Sequence, residues 1–382
     1  MQHKSPEGRL RAGIVGGGRG SFIGGVHRIA AQLDGEALLV AGAMSSNPTI
    51  ARESAAAWYL DRSYDSFTEM ARAEAALPDG IDFVIVATPN HLHYPVAKAF
   101  LEAGIHVVCD KPLAFSVAEG EALAALVERG MPLFALTYNY TEYAAVLQAR
   151  EMVLRGDLGR LRKVLVEYNQ SWLTEPIERS GSKQAAWRTD PGRAGVGGCV
   201  GDIGSHAENL LQFVTGERIT ALCADLSSFV PGRELDDDAN ILIRLEGGGK
   251  GTLVCSQIAS GEENDLSLRL YGEKAGLEWR QQEPNSLIYK PSGQPWQTLR
   301  AGNAYLSEPA RAASRIPAGH PEGYLEAFAV IYREIIGDVR RARLGETPHQ
   351  NYATVHDGLR GLRFVAKAVE SSRQGGTWLS FK

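Results

Sequence analysis

The sequence predicts an α/β protein in two parts: a doubly wound parallel sheet over residues 1–137, then an α+β domain with one open antiparallel sheet over residues 138–382. Three observations carry this expectation. Apolar strand-like runs alternate with helical periodicity as far as Thr137, the pattern of βαβ units. A glycine turn separates the first such run from the first helix. Beyond Thr137, short alternating runs follow one another across turn signals such as Glu246-Gly247-Gly248-Gly249, and short connections favour antiparallel pairing. A chain of 382 residues, 44% hydrophobic, is long enough to bury a core in each part.

In the first part, Leu10 to Val15 reads as a strand that breaks into Gly16-Gly17-Gly18-Arg19-Gly20-Ser21, with helical spacing from near Gly25. Leu38 to Ala43 is a second strand, and Asp82 to Ala87 a third that runs into Thr88-Pro89-Asn90. Pro95 to Ala103 is helical and His106 to Cys109 is a strand. Ser116 to Arg129 is a helix with Ser116 as N-cap and Glu119 at capping-box spacing, and Leu133 to Thr137 closes the series. In the second part, Glu142 to Arg155 is helical. Strand-like runs follow at Val164–Asn169, Ile219–Val230, Asn240–Leu245, Gly251–Gln257, Leu266–Tyr271 and Leu277–Trp279. Helical patterns return at Pro321–Arg343 and Tyr352–Ser372. Ser171 to Gly198 reads as a long loop rich in Gly, Arg and Trp, and loops of that length are commonly functional.

Composition excludes several classes. The formal net charge is -5 with Lys and Arg scattered, which gives no nucleic-acid footprint. The longest apolar runs have a strand's length, so no membrane span is expected. Met1 to Arg9 is polar and lacks the apolar core of a signal peptide. Four cysteines without paired spacing read as reduced thiols in a cytoplasmic protein. No metal site is expected, since no two cysteines are close and no His-Glu-x-x-His occurs.

Strand, glycine turn, helix is the context a dinucleotide fingerprint requires. Gly16 permits the tight turn, Gly18 lets the backbone approach a pyrophosphate, and the helix N-terminus offers N–H groups to the anion. The third small position falls on Ser21, a departure from the pattern. In a doubly wound sheet the ligand lies beyond the carboxyl ends of the strands, where Gly16, Ser45, Thr88, Asn90 and Lys111 all fall. The ribose position reads Ala43-Met44-Ser45-Ser46-Asn47, without an acid to repel a 2′-phosphate and without an adjacent arginine to attract one, with Arg19 and Arg52 as the arginines within reach. Ser45 and Ser46 suit either cofactor; the expectation is NAD, with NADP as the alternative.

Lys111, in Cys109-Asp110-Lys111-Pro112, ends an apolar run. About ninety residues on, Asp202 and His206 stand four apart where helical spacing begins, so they share a helix face. Taken alone, such a pair also reads as an N-cap and its partner. Trp187, Arg188 and Asp190 are expected substrate contacts, because charged groups beside an aromatic face suit a polyhydroxylated ring; an ordered loop held by its own contacts is the plain alternative. Asn139, in Tyr138-Asn139-Tyr140, offers a substrate contact or strand-end packing. His91 and His93 line the cofactor crevice or cap a helix. Asp236-Asp237-Asp238 reads as a solvated turn, and His320 as a residue preceding a helix.

These motifs together resemble the Gfo/Idh/MocA oxidoreductases, which include inositol, glucose–fructose and other sugar dehydrogenases. The resemblance covers essentially the whole chain. Gly16 to Ser21 looks like the family's nucleotide loop, with extra residues Phe22 to Gly25 before His27, so Arg19, Ser21, Phe22 and Ile23 join the expected cofactor set. Thr88-Pro89-Asn90-His91-Leu92-His93 resembles its second cofactor segment, which adds His93. Asp110-Lys111-Pro112 is similar to the Glu-Lys-Pro signature, with Asp for Glu. Gly198-x-x-x-Asp202-x-x-x-His206 is similar to the second signature. The resemblance implies a Rossmann domain followed by a domain with an open, mostly antiparallel sheet, bound NAD(P), a sugar or cyclitol substrate, and a homo-oligomer, dimer or tetramer, through the sheet. It implies catalytic roles for Lys111, Asp202 and His206, with either Lys111 or His206 taking the proton. A member that retains NAD through a redox-neutral sugar conversion is one alternative, and a non-enzymatic nucleotide sensor is another.

Overall fold

The computed structural model describes residues 8–130 and 132–381. Met1–Glu7, read above as a polar stretch without a signal-peptide core, lie outside the described residues, as do Met131 and Lys382.

The first stretch runs β1 (Leu10–Gly16), α1 (Phe22–Gln32), β2 (Ala37–Ala43), α2 (Pro48–Ala57), β3 (Arg62–Ser63), α3 (Phe67–Ala76), β4 (Phe83–Ala87), α4 (His93–Glu102), β5 (His106–Cys109), α5 (Val117–Glu128) and β6 (Phe134–Leu136). The six strands form one parallel sheet in the order β3-β2-β1-β4-β5-β6. The order reverses between β1 and β4, and that reversal opens the ligand crevice of a doubly wound sheet at their carboxyl ends. β4 is buried along its whole length, as a strand covered on both faces must be.

Local chemistry sets the helix starts. The Ser21 hydroxyl accepts from Gly24 N–H, so α1 begins at Phe22 rather than near Gly25. Asn47 caps α2 through bonds from Thr49 and Ile50, with Pro48 at the first helical position. Ser66 caps α3, and Ser116 caps α5 while Glu119 reaches back to the N–H of Phe115. α4 starts at His93, which leaves Pro95 in the first turn, where no N–H is needed.

The second stretch runs α6 (Ala144–Leu154), β7 (Leu161–Asn169), α7 (Lys183–Arg188), α8 (Pro191–Ala194), a π-helical turn Val200–Gly204, α9 (Ser205–Thr215), β8 (Ile219–Ser227), β9 (Asp238–Leu245), β10 (Lys250–Ser256), β11 (Asp265–Gly272), β12 (Ala275–Arg280), β13 (Ser286–Pro291), β14 (Gln297–Arg300), α10 (Glu308–Ala313), α11 (Tyr324–Arg343), α12 (Val355–Arg373) and β15 (Leu379–Ser380). Nine strands make the second sheet, in the order β14-β13-β12-β11-β7-β10-β9-β8-β15, antiparallel except for the β7–β10 pair. One face is apolar, with Val164, Val166, Leu268, Leu253 and Ile241 buried, and α6 and α9 pack on it. Side chains of the other face alternate outward, as one-sided burial requires.

Two sequence expectations change here. The segment 171–198 is not one loop but a chain of short helical turns, including Ile177–Ser180, α7 and α8. β8 stops at Ser227, short of the expected Val230, because the Asp237 carboxylate takes the N–H groups of Phe229 and Val230 out of the ladder.

The chain divides into two compact units, residues 1–138 with 324–360, and residues 139–323 with 361–382. The sequence reading drew one cut after Thr137; α11 instead belongs to the first unit. Its apolar residues at Phe328, Tyr332, Ile335 and Val339 recur at helical spacing and join the core formed with Leu10, Ile14, Val26 and Phe83. Burying each of these larger side chains contributes about 1.5–3 kcal/mol, which periodicity alone could not assign to one unit or the other. A bridge between Leu136 and Ala353 ties the segment after α11 to the end of β6.

Candidate active site

The first unit builds a nucleotide cradle out of close approaches. Gly16, at φ +79°, sits where a Cβ would meet the Ala87 carbonyl oxygen at 2.4 Å. A Cβ on Gly18 would meet the Met44 carbonyl oxygen at 2.6 Å and Ser54 Oγ at 3.1 Å. Gly24 packs α1 onto the turn, its Cβ position 2.3 Å from Gly17 Cα. The role of the third small residue therefore falls to Gly24, and Ser21 is the cap instead. Ser54, which no sequence motif marks, accepts from Arg19 N–H at 3.1 Å and pins the turn from α2.

The remaining expected cofactor residues divide by what their side chains do. Phe22 is 68% exposed and stacks against Tyr324, while Ile23 packs on the core, which leaves the backbone N–H as what Ile23 can offer. The Arg19 side chain is exposed. Ser45 Oγ accepts from Asn47 N–H at 3.1 Å, and Ser46 is exposed. Thr88 Oγ1, at the end of β4, is buried with no hydrogen-bond partner among the described residues, an orphan a bound ligand would satisfy. Asn90 is buried beside it. A cradle without side-chain bulk, helix N–H groups and an orphan hydroxyl at the switch point fit a dinucleotide.

His93 and Asp110, both expected in the cofactor set from the motifs that hold them (Asp110 and Lys111 through the Asp-Lys-Pro signature), turn their side chains elsewhere. The His93 ring is fully buried, with Nδ1 2.6 Å from the Pro112 carbonyl and Nε2 2.9 Å from the Thr88 carbonyl. Burial pushes its pKa down against Asp110 and the two carbonyls. A neutral ring has one N–H, and we assign it to the shorter bond, to Pro112. The ring is wedged between the Pro112 and Thr88 carbonyls, donates to the first, and leaves neither nitrogen open to a cofactor. Asp110 Oδ1 turns inward as well, accepting from Lys111 N–H at 2.9 Å and Thr137 Oγ1 at 3.0 Å. It fixes the turn that carries Lys111, whose bond to Pro112 is cis. Behind it lies His27, which sequence reading passed over: fully buried, with Nδ1 2.6 Å from Tyr332 Oη and Nε2 3.9 Å from Asp110. Burial keeps His27 below its ordinary pKa, against the pull of Asp110. Its neutral Nε2–H faces the carboxylate, and Nδ1 accepts from the tyrosine.

The second unit carries the Asp202/His206 pair. Asp202 lies in the π-helical turn before α9, and His206 in the first turn of α9, buried. Such π-turns are frequent at functional sites. The approach to it is fixed by Asp236, whose carboxylate accepts from Gly198 N–H and Val200 N–H, both at 2.7 Å. Burial pushes the Asp236 carboxyl up to about 6, against those two N–H groups. Asp237 is 1% exposed and accepts from two further N–H groups. The expected solvated turn is therefore a buried acidic brace. The partners of Asp236 lie more than thirty positions away, in the approach to the π-helical turn, and those of Asp237 in the loop just before it, so a run of three aspartates carries no local sign of burial.

Asp202 Oδ2 is held by Arg188 Nε at 3.1 Å and Gln257 Nε2 at 2.9 Å. The Arg188 guanidinium lies over the Trp187 ring at 4.1 Å and faces the Trp172 ring at 5.8 Å. Trp187 and Arg188 thus form an aromatic and cationic wall beside Asp202. Asp190 does not join it: its carboxylate accepts from Gly192 N–H and caps α8 ahead of Pro191. Asn139 is 1% exposed, and its Nδ2 is buried with no hydrogen-bond partner among the described residues. The His206 ring is bracketed by Tyr140, centroids 4.8 Å apart, and Tyr168, at 6.2 Å. Tyr168 and Gln257 carry no local motif that marks them in the sequence.

Comparison with known proteins gives these features a context. Residues 10–137 match the family described as "Oxidoreductase family, NAD-binding Rossmann fold", and residues 146–278 match "GFO/IDH/MocA C-terminal domain". An uncharacterised oxidoreductase of Bacillus subtilis (strain 168) is 36% identical over 98% of this chain and 97% of its own. An inositol dehydrogenase homologue from Azotobacter vinelandii, solved with NAD+, is 36% identical, with a TM-score of 0.94 and 98% of both chains covered. In a second structure from that organism, described with NADH and myo-inositol, the identity is 34% and the TM-score 0.91 over 100% of both chains. Levoglucosan dehydrogenase of Pseudarthrobacter phenanthrenivorans is 28% identical over 70% of this chain and 73% of its own.

Proposed function

The chain belongs to the Gfo/Idh/MocA family of NAD-binding oxidoreductases, and on that premise we propose that it oxidises a secondary alcohol of a cyclic polyol or sugar. The observation that carries this reading is the wall around Asp202: a carboxylate fixed by Arg188 and Gln257, beside two tryptophan rings and one turn from His206. Flat aromatic faces with charged and amide groups between them suit the faces and hydroxyls of a saturated polyhydroxylated ring.

Gly16, Gly18, the N–H groups that open α1, and Thr88 would hold the dinucleotide. Bound NAD supplies the acceptor for the hydride that leaves the carbinol carbon. The chain's own groups handle the rest. Lys111 donates to the substrate oxygen and stabilises the alkoxide as it forms. His206 takes the hydroxyl proton, a task that the imidazole suits near neutral pH. Asp202, held in place, accepts from a neighbouring hydroxyl, and Asn139 and Trp187 bound the ring. NAD is favoured over NADP because no arginine follows β2 in the ribose position, and Arg52 is paired with Asp65 at 3.3 Å. The open face of the second sheet, where Leu242 is 49% exposed, is the surface we assign to self-association as a dimer or tetramer. Light scattering of the purified chain tests that assignment.

The experiment for the mechanism is a pair of substitutions, Lys111→Ala and His206→Ala. Positioned acid–base help is worth about 10²–10⁴ in rate, so each variant should lose at least about a hundredfold in turnover while cofactor fluorescence still titrates. Near-wild-type turnover in either one refutes the role given to that residue.

A further inference from the structure

We propose that Asn264 is a positioning residue for the catalytic pair: one amide locks the two tyrosines around His206 and anchors the arm that holds Asp202. The proposal rests on the roles given above to those two residues. Every residue in it belongs to the second unit.

Asn264 precedes β11 and is half-buried. Its Nδ2 donates to Tyr140 Oη at 3.1 Å, and its Oδ1 accepts from Tyr168 Oη at 2.8 Å. The two hydroxyls bond each other at 2.7 Å. Only one order of donors satisfies this triangle. The amide N–H gives to Tyr140, Tyr140 O–H gives to Tyr168, and Tyr168 O–H returns to the amide oxygen. Each hydroxyl then donates once and accepts once inside the triangle. A closed ring of this kind is stiff, because each bond polarises the next. The two phenol rings are the walls of the His206 slot, at 75° and 62° to the imidazole. Turning either phenol moves a wall.

A second arm starts at the same amide oxygen. Gln170 Nε2 donates to Asn264 Oδ1 at 2.7 Å, and Gln170 Oε1 accepts from Trp172 Nε1 at 3.0 Å. Trp172 faces the Arg188 guanidinium, which donates to Asp202. One side chain therefore sits at the junction of two arms, one ending on each member of the pair. A residue that only filled space would need neither the amide nor its orientation.

The test uses the full chain with specifically labelled histidine and follows the His206 ring by NMR through a pH titration, with His206→Gln to assign the signal. The variants are Asn264→Leu, which keeps the shape and removes all three bonds, and Tyr168→Phe, which removes one oxygen and guards against a misfolded leucine variant. Tyr140 and Tyr168 are titratable groups that face the ring, and Asp202 flanks it one turn away. Both variants should move the His206 midpoint by on the order of one pH unit, the scatter that environment gives histidines in proteins. Their effects should not add in the double variant, since either one opens the same triangle. With NAD and myo-inositol, turnover should fall about tenfold or more, as small misplacements of a reacting group do, with KM for NAD unchanged. An unchanged His206 midpoint in both variants, at wild-type thermal stability, overturns the proposal. The NMR readout needs no substrate. If His206→Gln itself turns over normally, the catalytic reading fails while the positioning of the ring is still measured.

Discussion

Replacing Gly18 by alanine should weaken NAD binding without unfolding the chain. A Cβ at Gly18 would lie 2.6 Å from the Met44 carbonyl oxygen, and ordinary contact begins at 3.4 Å, so the turn must move by about 0.8 Å (3.4 minus 2.6). The Met44 oxygen is backbone at the end of β2 and cannot swing aside, and Ser54 Oγ closes the other side at 3.1 Å. The turn must therefore shift toward the space that the pyrophosphate would occupy. Loss of one N–H bond to a phosphate removes about 1.5–3 kcal/mol, which corresponds to roughly ten- to a hundredfold in Kd. Titration of NADH fluorescence measures the affinity, and thermal melting checks the fold. Gly337→Ala, in α11, is the matched control, since its Cβ would meet only the flexible tip of Arg341. Wild-type NADH affinity in Gly18→Ala, at unchanged stability, would refute the assignment of this turn to the pyrophosphate.

Other consequences can be measured separately. Arg188→Met takes the guanidinium off Asp202 and leaves Gln257; a charged hydrogen bond of about 1.5–3 kcal/mol predicts a loss of roughly ten- to a hundredfold in kcat/KM, with NADH affinity unaffected, and steady-state kinetics decide it. His106 Nδ1 accepts from Leu133 N–H, and burial lowers its pKa from 6.5 to about 4. The unfolded chain then binds the extra proton between those values, so stability is full above about 6.5 and falls as pH drops toward 4, by at most about 3 kcal/mol. Asp236 acts in the opposite sense: raised from 3.8 to about 6, it is protonated more readily in the folded chain, and stability falls as pH rises through that window, again by about 3 kcal/mol. The two largely cancel in the wild type. Melting curves across pH should therefore tilt in opposite directions in His106→Gln and Asp236→Asn, and parallel curves would contradict both environments.

What sequence revealed and what it hid follow one physical rule. Periodicity and caps are local, so the strands beside the cradle and the Ser116 cap were legible, as were Lys111 at the end of β5 and the Asp202/His206 spacing. The Asn47-Pro48 and Ser66-x-x-Glu69 starts of α2 and α3 were equally local signals and were passed over. What stayed hidden depends on partners far apart in the chain. Tyr332 meets His27 across 305 positions, and Asn264 meets Tyr140 across 124. A lone buried polar residue carries no sign of such a partner until the fold supplies it. The same gap explains Asp236, whose acidity suggests water while its carboxylate holds Gly198 and Val200 on the approach to the Asp202 turn. His93 and Asp110 sit inside motifs that suggested cofactor contact, and their side chains turn inward to shape the strand ends instead.

The most direct test of the account is NADH formation at its absorbance band when the purified chain meets NAD or NADP and a panel of inositols, aldoses and 1,5-anhydrosugars. Stoichiometric NADH with NAD and a cyclic polyol or sugar is the expected result. Absence of NADH across the whole panel, while NADH still binds by fluorescence, would contradict a released-cofactor dehydrogenase of this substrate class.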